Sequence, residues 1–336
     1  MQHYPSTGPD RDRFILDRRG SRLLHDPWRY QGLIVEDEAA ADGPRARVAT
    51  VFLTGRECPW RCAMCDLWLH TMVADTPAGA IPAQLAAARK ALAREPDAVT
   101  RMKLYNAGSF FDPRAVPESD YDEIAAQLAG LTHIIVESHP ALVGPRVGRL
   151  IKALEHRHGN ESEAQLEVAM GLETAHPVAL ERLHKRMSVD QFRLAADRLQ
   201  QRGVLLRVFL LISPPFVPRE EQDAWLLQSI DVAFSCAATA VSLIPTRGGN
   251  GTLEALAGEG LFRPPRLADV ERSIEAAYGN LPRRGRIFVD LWELERFANC
   301  THCFDARRGR LHAMNLEQRV LPAIRCPHCA GGRRRV

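Results

Sequence analysis

The sequence predicts an α/β fold, a partial (β/α)6-type parallel barrel followed by a small C-terminal ribbon whose four cysteines bind a metal. Three observations carry this. Strand-like and helix-like segments alternate from residue 47 onward, and right-handed crossovers of such βα units roll a parallel sheet into a full or partial barrel. The unusual residues each fall at the C-terminal end of a strand, and in a βα barrel those ends share one rim, where an active site sits. Finally, Cys300 with Cys303 and Cys326 with Cys329 form two C-x2-C knuckles separated by 22 residues.

The elements follow in order. VATVFLTG reads as the first barrel strand, with Cys58 close behind it. Residues 78–94 read as a helix with Pro82 in its first turn, where the missing N–H costs nothing. MKLYN is the second strand. Tyr121, Ile124 and Leu128 give helical spacing ahead of HIIVE, the third. Val147, Leu150, Ile151 and Leu154 make a one-face helical stripe before LEVAMG, the fourth. Leu180, Leu183 and Met187 line one side of a further helix. Ser188 and Gln191 then form a capping-box pattern, opening a helix that Gly203 stops. VLLRVFLLI is the fifth strand, halted by Pro214 and Pro215. AVSLI, followed by Pro245, is the sixth, and RIFVDL is a candidate seventh. Three segments result: an N-terminal extension 1–45, the barrel 46–291, and a zinc-ribbon-like segment with a basic tail 292–336. The first contains Trp28, Tyr30 and Glu36 but no interpretable motif.

Composition narrows the function classes. The 336 residues are 46% hydrophobic and 25% charged, which excludes collagen, a coiled-coil rod and wholesale disorder. No run of eighteen uncharged apolar residues exists, and the N-terminus lacks an apolar signal-peptide core, so a cytoplasmic protein without a membrane span is expected. Residues 296–336 hold nine arginines against Asp305 and Glu317, a local balance of +7 within a net charge of +3. The remainder is mildly acidic, and a basic tail on such a body points to an anionic partner.

Eight cysteines in a large chain without an export signal read as metal ligands rather than a disulfide framework. The first group, CPWRCAMC, places Cys58, Cys62 and Cys65 in a C-x3-C-x2-C pattern. Three thiolates are one too few for an ordinary four-cysteine iron–sulfur cluster or a closed zinc site. One coordination position therefore stays free for chemistry. A zinc site completed by a distant His, or a chance cluster, is the competing reading. Cys236, in a helix-like AFSCAA run, reads as a buried inert thiol. Glu137 ends the third strand and Glu173, within GLET, ends the fourth; as acceptors they suit an ammonium or a ribose diol. Arg207 lies inside an apolar strand and must find an anionic partner there. His139 and His176 lie beside these motifs without an assigned role.

The cysteine loop after the first strand, the NAGS turn after the second and GLET after the fourth match the radical S-adenosylmethionine (SAM) superfamily in kind and order. The chain resembles that superfamily over residues 46–291, and within it the branch holding the tRNA methylthiotransferases and the elongator catalytic subunit. VFLTGRECPWRCAMC and KLYNAGSFFDP look most like the archaeosine-synthase radical SAM subunit and its uncharacterised bacterial relatives. Met64 departs from the pattern, standing where many members have an aromatic residue. The resemblance implies a 4Fe–4S cluster on Cys58, Cys62 and Cys65, with SAM on the fourth iron. It implies reductive cleavage to a 5′-deoxyadenosyl radical that abstracts a substrate hydrogen, with an external flavodoxin- or ferredoxin-type electron donor. Asn106, Ala107, Gly108 and Ser109 resemble the turn that meets the SAM amino group, and Arg207 becomes a candidate for its carboxylate. No catalytic residue beyond the cluster ligands is assigned.

For Cys300, Cys303, Cys326 and Cys329 the paired knuckles favour zinc, with an auxiliary 4Fe–4S cluster as the rival. Arg307, Arg308 and Arg310 between the knuckles, and Arg333, Arg334 and Arg335 beyond them, suggest a grip on a phosphate backbone. The expected function is a radical SAM enzyme modifying a tRNA nucleoside. A radical SAM enzyme acting on a peptide or small metabolite is the first alternative. A non-catalytic metal- and nucleic-acid-binding protein is the second.

Overall fold

The computed structural model describes residues 3–41, 43, 45–158, 164–280 and 284–330. One eight-stranded sheet runs in sequence order: β1 (Gly32–Glu38), β2 (Ala46–Phe52), β3 (Arg101–Tyr105), β4 (His133–Ser138), β5 (Gln165–Glu173), β6 (Leu205–Ile212), β7 (Ala238–Pro245) and β8 (Arg286–Val289). β2 to β8 are parallel and joined by helical crossovers, and the candidate seventh barrel strand is formed. β1 pairs antiparallel to β2, Gly32 opposite Phe52 and Glu38 opposite Ala46, so the N-terminal extension supplies a strand of the sheet. Its sequence, GLIVEDE, ends in three acidic residues and is only half buried, and its alternation is therefore faint.

Side chains alternate across each strand. Outward-facing Met102, Leu104, Ile134, Val136, Val168, Val208 and Val241 pack with Leu85, Ile124, Leu150, Phe192 and Ile230 of the surrounding helices, forming one continuous core. The other face looks into a half-barrel. Tyr105 on β3 meets Phe209 on β6 edge-on at 6.0 Å, a contact between non-neighbouring strands that only a curled sheet allows.

Local rules hold where expected. Ser188 and Gln191 exchange both capping-box hydrogen bonds at the start of Val189–Gln200. Gly203 adopts φ +67° beyond that helix's end.

The barrel floor is charged. Arg207 Nε donates to Glu167 Oε1 at 2.6 Å and its Nη2 donates to Glu38. Glu167 also meets His133 Nε2 at 2.7 Å, and Lys103 pairs with Glu38. Burial pushes Glu38 up, but Arg207 and Lys103 outweigh it and bring its carboxyl down to about 2. Arg286 Nη1 donates to Ala39 O at 3.2 Å, bringing the end of β1 against β8.

The open edge of β8 is covered by the helix Phe304–Glu317, which lies between the two cysteine knuckles where a ribbon would carry strands. Asn315 Oδ1 accepts from Val289 N–H at 2.9 Å and its Nδ2 donates to Val289 O at 2.8 Å. Gln318 repeats the pattern with Ile287 at 2.8 and 2.9 Å. Two side-chain amides thus stand in for a ninth strand and protect an edge otherwise open to foreign pairing.

Candidate active site at the barrel rim

β2 ends at Phe52 and delivers the cysteine loop to the rim. Gly108, just past β3, packs against that loop: a Cβ there would lie 3.4 Å from the Cβ of Cys58. Ala107 takes φ +54°, a strained value for a residue with a side chain. The turn is fixed from the next strand, where Glu137 Oε1 accepts the Gly108 N–H at 3.1 Å. Burial pushes Glu137 up to about 7, with the N–H groups of residues 108, 106 and 107 opposing it. Ser109 Oγ lies 3.0 Å from Ser138 Oγ. Asn106 is fully buried, and both atoms of its side-chain amide lack a partner. An orphaned buried amide at this point suits a polar ligand.

β5 ends in a bulge, its register with β6 shifting between Gly171 and Glu173. Glu173, at φ +66°, folds its carboxylate back over Gly171 and accepts from Lys185 Nζ at 2.5 Å. A Cβ on residue 171 would sit 2.1 Å from Glu173 Oε1 and 2.3 Å from Lys185 Nζ, so the ion pair occupies the space a side chain there would take and would have to shift to admit one. Burial works against the Lys185 charge, yet Glu173 and Cys62 hold its pKa above the ordinary value. Both neighbours of Lys185 are strained, His184 at φ 59° and Arg186 at φ 55°.

The sequence motifs Asn106 to Ser109, Glu137 and Glu173 therefore meet beside the cysteine loop. Arg207 does not join them. It is level with Ala169, four residues below Glu173, which is about 13 Å deeper at strand rise. His139 stacks on Trp60 of the cysteine loop, with ring centroids 3.6 Å apart. Its Nδ1 accepts from Ala141 N–H, so the proton resides on Nε2 and is donated to Lys185 O at 3.0 Å. Burial and then Lys185 lower its pKa to about 3, leaving a neutral ring.

Two further supports escaped sequence reasoning. Asn250, after β7, donates through Nδ2 to Ala63 O at 2.8 Å and to Cys65 O at 3.3 Å. Lys185 is one of four lysines in the chain, and only the bulge at Glu173 reveals its partner.

Burial raises all three loop thiols, Cys62 to about 12, so they keep their protons until a cation displaces them. Each of Cys62 and Cys65 lies within electrostatic reach of other loop thiols. Among the described residues, the group of three or more ligand atoms lying within 4.8 Å of one another is instead Cys300, Cys303, Cys326 and Cys329. The three loop sulfurs do not all lie that close to one another. The C-terminal sulfurs converge: Cys300 to Cys326 is 4.0 Å and Cys303 to Cys329 is 3.6 Å. A tetrahedral zinc with about 2.3 Å bonds separates its sulfurs by about 3.8 Å, and this site fits it.

Of Arg307, Arg308 and Arg310, two are engaged. Arg307 is paired with Glu271, and Arg310 donates to Leu321 O and to Glu275. Arg308 is exposed, and Arg333, Arg334 and Arg335 lie outside the described residues. No helix among the described residues is long and apolar enough to cross a membrane.

No protein-family model matches the chain. Over 255 residues it is 27% identical to archaeosine synthase subunit beta of Methanosarcina acetivorans, covering 72% of this chain and 70% of that one. The chain is a homologue of that subunit. An uncharacterized protein of Methanocaldococcus jannaschii is 22% identical over 172 residues, 49% of this chain and 45% of that protein. Among solved structures, Elp3 of Methanocaldococcus infernus aligns at TM-score 0.48 and 13% identity, over 69% of this chain and 59% of its own.

Proposed function

We propose that this homologue holds a 4Fe–4S cluster on Cys58, Cys62 and Cys65, binds SAM at the remaining iron and modifies a nucleoside of tRNA. The observation that carries the cofactor reading is the presentation of three thiols at the rim, Cys62 buried and Cys58 and Cys65 half-buried, beside an ion pair and an orphaned amide. When bound, such a cluster supplies one electron, drawn from an external flavodoxin- or ferredoxin-type donor, for reductive cleavage of SAM, the step that begins hydrogen abstraction.

The chain's own residues bind and orient. Glu173 and Lys185 bring opposite charges beside Cys62, matching the ammonium and carboxylate of SAM. The Asn106 amide offers a donor and an acceptor without a protein partner. Glu137 shapes the turn 106–108 that faces Cys58. Lys185 fills the cationic role at the rim, and Arg207 braces the floor. At the C-terminus, zinc holds the two knuckles that flank the edge-covering helix. The tRNA reading is supported by the archaeosine synthase relative and the resemblance to a branch with tRNA-modifying members.

Anaerobically reconstituted protein should be brown and cleave SAM with dithionite, and Cys58→Ala, Cys62→Ala or Cys65→Ala should abolish cleavage. Undiminished cleavage in any of the three overturns the cofactor assignment. Failure to bind tRNA at low salt removes the substrate assignment alone.

A further inference from the structure

The N-terminal extension meets the cysteine loop through two arginines. Glu57, the residue before Cys58, accepts from Arg19 Nη1 at 2.7 Å and from Arg22 Nη2 at 2.5 Å. Arg22 Nη1 reaches the other foot of the same loop, donating to Trp68 O at 2.7 Å, Thr71 O at 3.0 Å and Thr71 Oγ1 at 2.6 Å. One guanidinium therefore joins both ends of the segment bearing Cys58, Cys62 and Cys65. Arg19 also lies over the Trp68 ring, 4.8 Å from its centroid. Arg19 is 8% exposed and Glu57 11%.

The strap carrying these arginines is anchored along its length. Tyr4 Oη donates to Arg182 O at 2.6 Å, and its ring lies 5.0 Å from that of Phe216 after β6. Phe14 and Ile15, each 2% exposed, share an apolar cluster with Ala63 of the cysteine loop and Leu183. Arg11 pairs with Glu181 at 2.5 Å, and Asp12 meets His184 Nε2 at 2.9 Å. The strap thus also grips the segment bearing Lys185. At Gly251 a Cβ would strike Arg18 O at 2.1 Å, so the strap lies directly on the loop after β7.

We infer that the N-terminal strap is part of the iron site, with Arg19 and Arg22 as positioning residues that clamp the cysteine loop closed. This rests on the cluster assignment above for its purpose but not for its geometry. A loop of fifteen residues with three separate metal bonds to make loses conformational freedom on loading, and a clamp set beforehand removes part of that cost. Two arginines, one on each oxygen of a shielded carboxylate, give the clamp its rigidity.

The test uses the full chain carrying Arg19→Gln and Arg22→Gln together, with Arg13→Gln, which is 72% exposed, as a control. In the metal-free protein, amide hydrogen exchange across residues 57–71 should quicken at least tenfold in the double variant and stay unchanged in the control. Exchange in β5 to β7 should not move, which shows that the barrel is folded. After anaerobic reconstitution, the double variant should lose iron to a chelator at least tenfold faster than the parent. Parent-like protection of 57–71, or parent-like iron retention, overturns the clamp. A parent chain that takes up no iron defeats the cluster assignment, while the exchange experiment still decides the clamp.

Discussion

Replacing Arg207 by Leu tests whether that arginine braces the barrel or binds a ligand. Its side chain is 3% exposed, and it holds Glu167, 1% exposed, and Glu38, 10% exposed. Removing it leaves two buried carboxylates with His133 and Lys103 as their nearest remaining partners. Breaking a buried ion pair from one side costs about 3–5 kcal/mol. The Glu38 carboxyl, held down by Arg207 and Lys103 together, sets an upper bound on its own share. Its fall from 4.5 to about 2 corresponds to about 3 kcal/mol at roughly 1.4 kcal/mol per unit. The sign follows from proton binding. A carboxyl depressed in the folded chain contributes stability above pH 4.5, and that contribution is lost as pH falls toward 2. Urea unfolding of parent and variant should therefore differ by about 3–5 kcal/mol at pH 7, with Glu38 narrowing the gap by up to about 2 kcal/mol at pH 3. A variant as stable as the parent at both pH values, yet unable to bind SAM, would refute the structural role and restore Arg207 as the carboxylate partner.

Glu137 should act in the opposite sense. Its folded carboxyl, pushed up to about 7 by burial, keeps a proton that the unfolded chain releases near 4.5, so stability of the metal-free protein falls as pH rises through that window. Unfolding free energies at pH 5 and pH 8 should show this loss, and Glu137→Gln should remove it; an unchanged slope in the variant would refute the account. At the C-terminus, the purified chain should hold one zinc that survives removal of iron, and Cys303→Ser should lose it. That variant should also expose β8 to hydrogen exchange, because the helix presenting Asn315 and Gln318 is anchored at Cys303. Zinc retention, or unchanged β8 protection without zinc, would refute the coupling.

What the sequence makes legible depends on whether a residue's partner is local. Buried parallel strands announce themselves as apolar runs, so β2 to β8 are readable, and the capping box at Ser188 with Gln191 is visible because its partners are three residues apart. The rim is readable for a topological reason: any residue ending a barrel strand belongs there, which brings Gly108, Glu137 and Glu173 together without knowledge of their contacts. Pairings across long separations leave no such trace. Asn250 reaches Ala63 over 187 residues, and Arg22 reaches Glu57 over 35. Arg207 is an intermediate case. That a charge inside an apolar strand needs a carboxylate is clear from sequence, but whether protein or ligand supplies it depends on depth in the barrel. β1 stays hidden because an edge strand needs only one apolar face.

The two ends of the barrel solve opposite problems. At the floor, Glu38, Lys103, His133, Glu167 and Arg207 satisfy one another, so charge is buried with partners and can neither reorganise cheaply nor admit a ligand. At the rim, charge and strain are left incompletely answered: the Asn106 amide has no partner, Ala107, Glu173, His184 and Arg186 adopt positive φ, and burial raises three neighbouring thiols. The contacts of Glu137, Ser138, His139 and Lys185 hold part of this rim. The cysteine loop is held further by the strap bearing Arg19 and Arg22, which lies outside the barrel, and by the Asn250 loop after β7. A barrel cut free of its first 31 residues should therefore keep its floor while its cysteine loop loosens.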